Sequence, residues 1–159
     1  MKKLLTVLVC LLMVVAMAAC SKKETIKEYT DGHIVLQLPD DFTEYKEEGF
    51  DYCLERNDAL IMCSHANQAF LDENNVSDVE IDEFTSFFTE GEELVLSEKK
   101  DGYNLFAYKY TDEAGEQYYL VAVYKCNDGY WLVNFICFSE DLPKYESVFQ
   151  EWAGKVTFK

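Results

Sequence analysis

The chain has 159 residues, with 30 acidic against 14 basic side chains and a formal net charge of −16. Such a surface repels polyphosphate, and with Arg56 as the single arginine the basic patch that nucleic-acid binding needs is missing, which excludes that class. A chain near this length buries about 70% of its extended-chain surface on folding, enough for one domain with a real core.

Leu4 to Ala19 is an uncharged run behind Lys2 and Lys3 that ends in small residues. It is shorter than the roughly 20 apolar residues of a spanning helix and has the layout of a secretory signal. Its end, Met17-Ala18-Ala19-Cys20-Ser21, carries a thiol that can be alkylated and the small side chains a peptidase needs before it. The segment resembles the signal peptide of bacterial lipoproteins, although Met17 stands where Leu is usual. That resemblance implies a diacylglyceryl thioether on Cys20 and cleavage between Ala19 and Cys20. Two acyl chains, at about 0.8 kcal/mol per buried methylene, hold a protein firmly. Residues 1–19 are therefore expected to be a lipoprotein signal peptide, 20–25 the lipidated cysteine and a short tether, and 26–159 a single domain. Lys22 and Lys23 of the tether would sit against anionic headgroups. The expected location is extracytoplasmic, lipid-anchored to the bacterial cell membrane.

Turn signals punctuate the mature chain at Asp31-Gly32, Asn57-Asp58, Asp101-Gly102 and Asp128-Gly129, each between runs of aromatic and β-branched residues. Asn, Asp and Gly tolerate the positive φ of tight hairpin turns. The clearest hairpin runs from Tyr118 to Cys126, turns at Asp128-Gly129 and returns from Tyr130 to Phe138. Leu120, Ala122, Tyr124 and Cys126 point one way, and Tyr119, Val121 and Val123 the other. In the return strand Trp131, Val133, Phe135 and Cys137 oppose Leu132, Ile136 and Phe138. Strands apolar on both faces belong in the middle of a sheet covered on two sides. One covering helix is predicted from Ser77, where Ser77-Asp78-Val79-Glu80 reads as a capping box and Val76 can staple to Ile81. Its buried stripe would be Ile81, Phe84, Phe87 and Phe88, and Gly91 stops it. A second follows Asp141 or Leu142 with Pro143 in its first turn; Tyr145, Val148, Phe149 and Trp152 share one face, and Gly154 ends it before a last strand at Lys155 to Phe158. The predicted fold class is α+β, a central antiparallel β-sheet with helices packed on both faces.

The opening Ile34-Val35-Leu36-Gln37-Leu38-Pro39-Asp40-Asp41-Phe42, the hairpin at Asp128-Gly129-Tyr130-Trp131 and the closing Phe149-Gln150-Glu151-Trp152-Ala153-Gly154-Lys155-Val156-Thr157-Phe158 together resemble the PsbP-like fold. That fold is shared by the extrinsic PsbP proteins of photosystem II, a Ran-binding nuclear import factor and small bacterial envelope lipoproteins. The resemblance implies an α/β/α sandwich and a non-catalytic module that binds or helps assemble larger complexes. It carries no functional residue across, because its motifs record packing and turns.

Of the cysteines, Cys53, Cys63, Cys126 and Cys137 fall in the domain, with no C-x-x-C pair of the kind that holds zinc. With a two-residue turn at Asp128-Gly129, Cys126 faces Trp131 and lies about 20 Å from Cys137, too far to bond. Cys53 and Cys63 fall on opposite faces if Asn57-Asp58 is a two-residue turn, and pair if the loop is odd and centred on Asp58. Cys63 and His65 share a strand face about 6.5 Å apart, a loose spacing for a nucleophile and its base, and no third group is evident. They define an alternative enzymatic reading, while His33 sits beside a turn. The acids at 40–41, 72–73, 78–83, 90–93 and 112–113 lack the glycine and alternation of a calcium loop; they read as a solvated surface, with a weak divalent-metal-binding face as a further alternative. Asn75-Val76-Ser77 matches a glycosylation sequon, but a lipobox belongs to a bacterium. The tyrosines of the central strands read as core or half-buried sheet, with a ring-lined ligand groove as the sharper alternative. Together these features predict a non-catalytic, membrane-anchored binding or assembly module. No metal and no cofactor beyond the lipid on Cys20 is expected. Its partners would be membrane lipid through the anchor and a protein or small ligand.

Overall fold

A computed structural model describes residues 24–76 and 79–159. The leader, Ala19, Cys20 and the lysines of the tether lie outside the described residues, as do Ser77 and Asp78 of the expected capping box.

Two antiparallel sheets form. The small one orders β1 (Ile26–Thr30), β2 (Ile34–Pro39) and the short β10 (Thr157–Phe158) as β1-β2-β10. The large one has seven strands: β3 (Thr43–Tyr45), β4 (Tyr52–Arg56), β5 (Ala59–Asn67), β6 (Leu94–Lys100), β7 (Tyr103–Asp112), β8 (Gly115–Cys126) and β9 (Gly129–Phe138), in the order β3-β4-β5-β9-β8-β7-β6. Among the described residues, three α-helices accompany them: α1 (Gln68–Glu73), α2 (Ile81–Thr89) and α3 (Leu142–Ala153).

The two-faced strands β8 and β9 sit near the middle of the large sheet, as their sequence requires. On one face Leu120, Ala122, Tyr124, Trp131, Val133 and Phe135 pack against Tyr145, Phe149 and Trp152 of α3 and against Ile34, Leu36 and Leu38 of β2. On the other, Val121, Val123 and Tyr130 meet Leu71 of α1 and Phe84 of α2. The fold is thus three-layered, with helices on both faces of the sheet. The Tyr124 hydroxyl donates to the Ala153 carbonyl at 2.6 Å and ties the sheet to the end of α3.

Several details differ from the sequence expectation. The β8–β9 turn is Asn127-Asp128, so Cys126 pairs with Gly129 and Tyr124 with Trp131. Gly129 is needed for another reason: its φ is +135° and a Cβ there would stand 2.0 Å from the Ala66 carbonyl oxygen of β5. Helix α2 begins at Ile81, after an extended Glu80 that makes no side-chain cap bond. Asn104 of β7 donates to Asp82 and Thr85 at 3.0 and 3.1 Å, which turns Ile81, Asp82, Phe84 and Thr85 toward the sheet. Phe84 goes in and stacks on Tyr130, whereas Phe87 and Phe88 stay 51% and 41% exposed. Helix α1, capped by Asn67 accepting from the Phe70 amide, was not anticipated. The last strand is only two residues long and belongs to the small sheet.

Candidate functional site

The structure buries the proposed nucleophile and leaves its base partly exposed. Cys63 is wholly buried among core residues, and burial pushes its thiol well above the ordinary range. A thiol held protonated and out of solvent is no nucleophile. The enzymatic reading built on Cys63 and His65 therefore fails in its first member. Asn57-Asp58 forms the two-residue turn, pairing Arg56 with Ala59 and setting Cys53 opposite Met62. That register leaves Cys53 and Cys63 on opposite faces, and all four domain cysteines are free. Cys137 pairs with Tyr118, eight residues along β9 from the partner of Cys126, about 26 Å at strand rise.

His65 has other company. Its ring stacks on Trp131, centroids 4.5 Å apart and planes 2° apart, because β5 and β9 set the two residues opposite each other. Its Nε2 lies 3.4 Å from Asp128 Oδ1 and 3.9 Å from Cys126 Sγ. The Cys126 thiol in turn donates to Asp128 Oδ1 and to the Gly129 carbonyl, each at 3.2 Å. Register explains the meeting: Gly129 stands across from both Cys126 and Asn67 and has no side chain to come between them. Burial, then the hydrogen bond to Asp128, pushes the Cys126 thiol up to about 11; the same bond is the main reason the Asp128 carboxyl sits below its usual range.

These three groups line a groove of about 490 Å³ together with His33, Asn127, Trp131, Phe158 and Lys159. Both histidines of the chain face it, one from the β1–β2 turn and one from β5. A catalytic relay would use opposite ring nitrogens of His65 for thiol and carboxylate. Here both approach Nε2, so the donors converge on one point instead of forming a chain.

A larger groove, about 690 Å³, runs beside the β4–β5 turn. Three of its charges, Asp41, Arg56 and Asp58, are held in ion pairs. Arg56 pairs with Asp41 at 3.3 Å and Asp58 at 3.1 Å, while Asp58 also binds Lys144 and accepts from the Tyr145 hydroxyl at 2.6 Å. The acid-rich helix α2 likewise spends Asp82 on Lys99, and Glu80 pairs with Lys125. Among the described residues, the cysteine, histidine and acid side chains that converge as three ligand atoms are His65, Cys126 and Asp128, none of them in the acidic runs 72–73, 78–83 or 90–93. The tyrosines of the central strands pack on neighbouring rings, Tyr108 on Tyr119, Tyr103 on Tyr124 and Tyr130 on Phe84.

No family model matches the chain, and no curated protein matches it. Among solved structures it is similar to the solution structure of cyanobacterial PsbP (CyanoP) from Synechocystis sp. PCC 6803, with a TM-score of 0.51 and 12% identity over 89% of this chain and 96% of that one. The fold is PsbP-like. The chain is also similar to LpqN of Mycobacterium tuberculosis, described as involved in cell envelope biogenesis, with a TM-score of 0.48 and 9% identity over 91% of this chain and 96% of that one. At such identities the likeness is one of fold.

Proposed function

We propose that the chain is a lipid-anchored, extracytoplasmic module that binds or helps assemble its target without turning it over. The observation that carries this reading is the polarity of the β1–β2 hairpin. The chain enters the domain at Ile26, six positions after Cys20, a span of at most about 20 Å. The His65–Cys126–Asp128 groove lies at the other end of the same hairpin, where His33 follows β1. A domain moored through Cys20 would hold its entry end toward the bilayer and offer the groove to the space beyond. The burial of Cys63 and the raised thiol of Cys126 support binding over covalent chemistry.

Membrane fractionation tests the anchor: wild-type protein should sediment with membranes, and Cys20→Ser should appear in the medium or periplasm. Retention of the variant, or a native amino terminus without lipid by mass spectrometry, overturns the reading. For the binding role, crosslinking on intact cells should enrich a partner over an unrelated domain carrying the same lipid anchor; no enrichment counts against it.

A further inference from the structure

We propose that His65, Cys126 and Asp128 form a site for one zinc-class divalent ion. This goes beyond the tethered-module reading and does not depend on it, since the donors all lie within the folded domain. The argument begins with spacing. Tetrahedral zinc takes sulfur at about 2.3 Å and nitrogen or oxygen at about 2.0–2.1 Å, which separates neighbouring ligand atoms by about 3.3–3.6 Å. The three separations here are 3.9 Å for nitrogen to sulfur, 3.4 Å for nitrogen to oxygen and 3.2 Å for sulfur to oxygen. Shifts of a few tenths of an ångström would close them around an ion.

Donor chemistry narrows the ion. Calcium and magnesium want all-oxygen shells, whereas one imidazole nitrogen, one thiolate sulfur and one carboxylate oxygen suit a borderline metal. Three protein donors leave a fourth position for water, the pattern of an open zinc site. The donors are also held for the purpose. Trp131 stacks on the His65 ring and limits its rotation; Cys126 leads into the two-residue turn and Asp128 is its second residue, followed by Gly129, which is pressed against β5. On binding, the Cys126 S–H bond breaks, its proton leaves to solvent and a sulfur–metal bond forms. The Asp128 oxygen that accepted that proton's hydrogen bond turns to the metal instead.

The test is calorimetric titration of the full chain in detergent micelles with zinc chloride, with cobalt(II) as a spectroscopic stand-in. The expected result is saturable binding of about one equivalent, a sulfur-to-cobalt charge-transfer band, and no displacement by excess calcium. Cys126→Ser should abolish the band, and Cys126→Ser and His65→Ala should each weaken zinc at least about tenfold. Asp128→Asn, at a side chain 64% exposed, should weaken zinc while leaving the circular dichroism spectrum unchanged, which separates a lost ligand from a lost fold. Absence of saturable zinc heat, equal competition by calcium, or unchanged affinity in Cys126→Ser and Asp128→Asn overturns the proposal. Survival of zinc binding in Cys20→Ser supports placing the site in the domain; its loss there overturns that placement without bearing on the anchor.

Discussion

Asp58 shows how one carboxylate can hold a corner of the fold. Burial alone would raise its pKa, but the hydrogen bonds from Lys144 and Tyr145, with the charges of Lys144 and Arg56, outweigh it and hold the carboxyl below its ordinary 3.8. A folded-state pKa below the unfolded one means that the stabilisation is complete above 3.8 and drains away as pH falls through the folded value. Asp58→Asn should therefore cost about 1–2 kcal/mol at neutral pH, and urea titrations should find that gap closing below about pH 4. Gly129→Ala tests a different kind of constraint. The methyl would meet the Ala66 carbonyl at 2.0 Å in a backbone at φ +135°, so a loss of about 2 kcal/mol or more is expected in the same assay. The candidate site was only partly legible from residues taken singly. His65 was singled out, yet its partners were set by the β5–β9 register, which pairs it with Trp131, and by a turn one residue earlier than the glycine suggested. A search for C-x-x-C spacing passes over Cys126-Asn127-Asp128, whose x is a turn residue that folds cysteine and acid together.

At the level of elements, periodicity served well where an element is buried on a clear pattern. Helix α3 runs from Leu142 to Ala153 with Pro143 in its first turn and Tyr145, Phe149 and Trp152 inside. The alternating faces of β8 and β9 likewise divide between the two cores. Helix α2 shows the limit of the method. Spacing cannot tell how a short amphipathic helix rolls once a polar residue of the sheet, here Asn104, grips its side. Phe84→Ala should cost about 3–4 kcal/mol in chemical denaturation, and Phe87→Ser should lie within about 0.5 kcal/mol of wild type. Equal losses for the two would mean that the roll is wrong. Strands β7 and β8 are joined through Asp112, whose Oδ1 accepts from the Ala114 amide, a turn built on a side chain within a run of acids that reads as mere surface charge. The last strand falls within the Lys155 to Phe158 stretch that the sequence predicts, but two residues carry no periodic signal to say which sheet they join, and pairing with β2 sets it in the small one.

Across the whole molecule, the net charge of −16 works against compactness, and scattered lysine pairs offset only part of it. Like charges spread over one small surface repel within a Debye length, about 10 Å at 0.1 M salt. Raising sodium chloride to about 0.5 M should therefore raise Tm, read by circular dichroism; a fall would mean that the ion pairs outweigh the repulsion. A last consequence concerns how the protein is handled. The Lys159 amide donates to the His33 carbonyl, and Phe158 and Lys159 form one wall of the groove that holds both histidines. Any polypeptide joined after Lys159 emerges there. A polyhistidine purification handle at that terminus would crowd imidazoles against Cys126 and counterfeit the very affinity one set out to measure, so the handle belongs in an exposed loop on the opposite side, such as the Glu113-Ala114 turn.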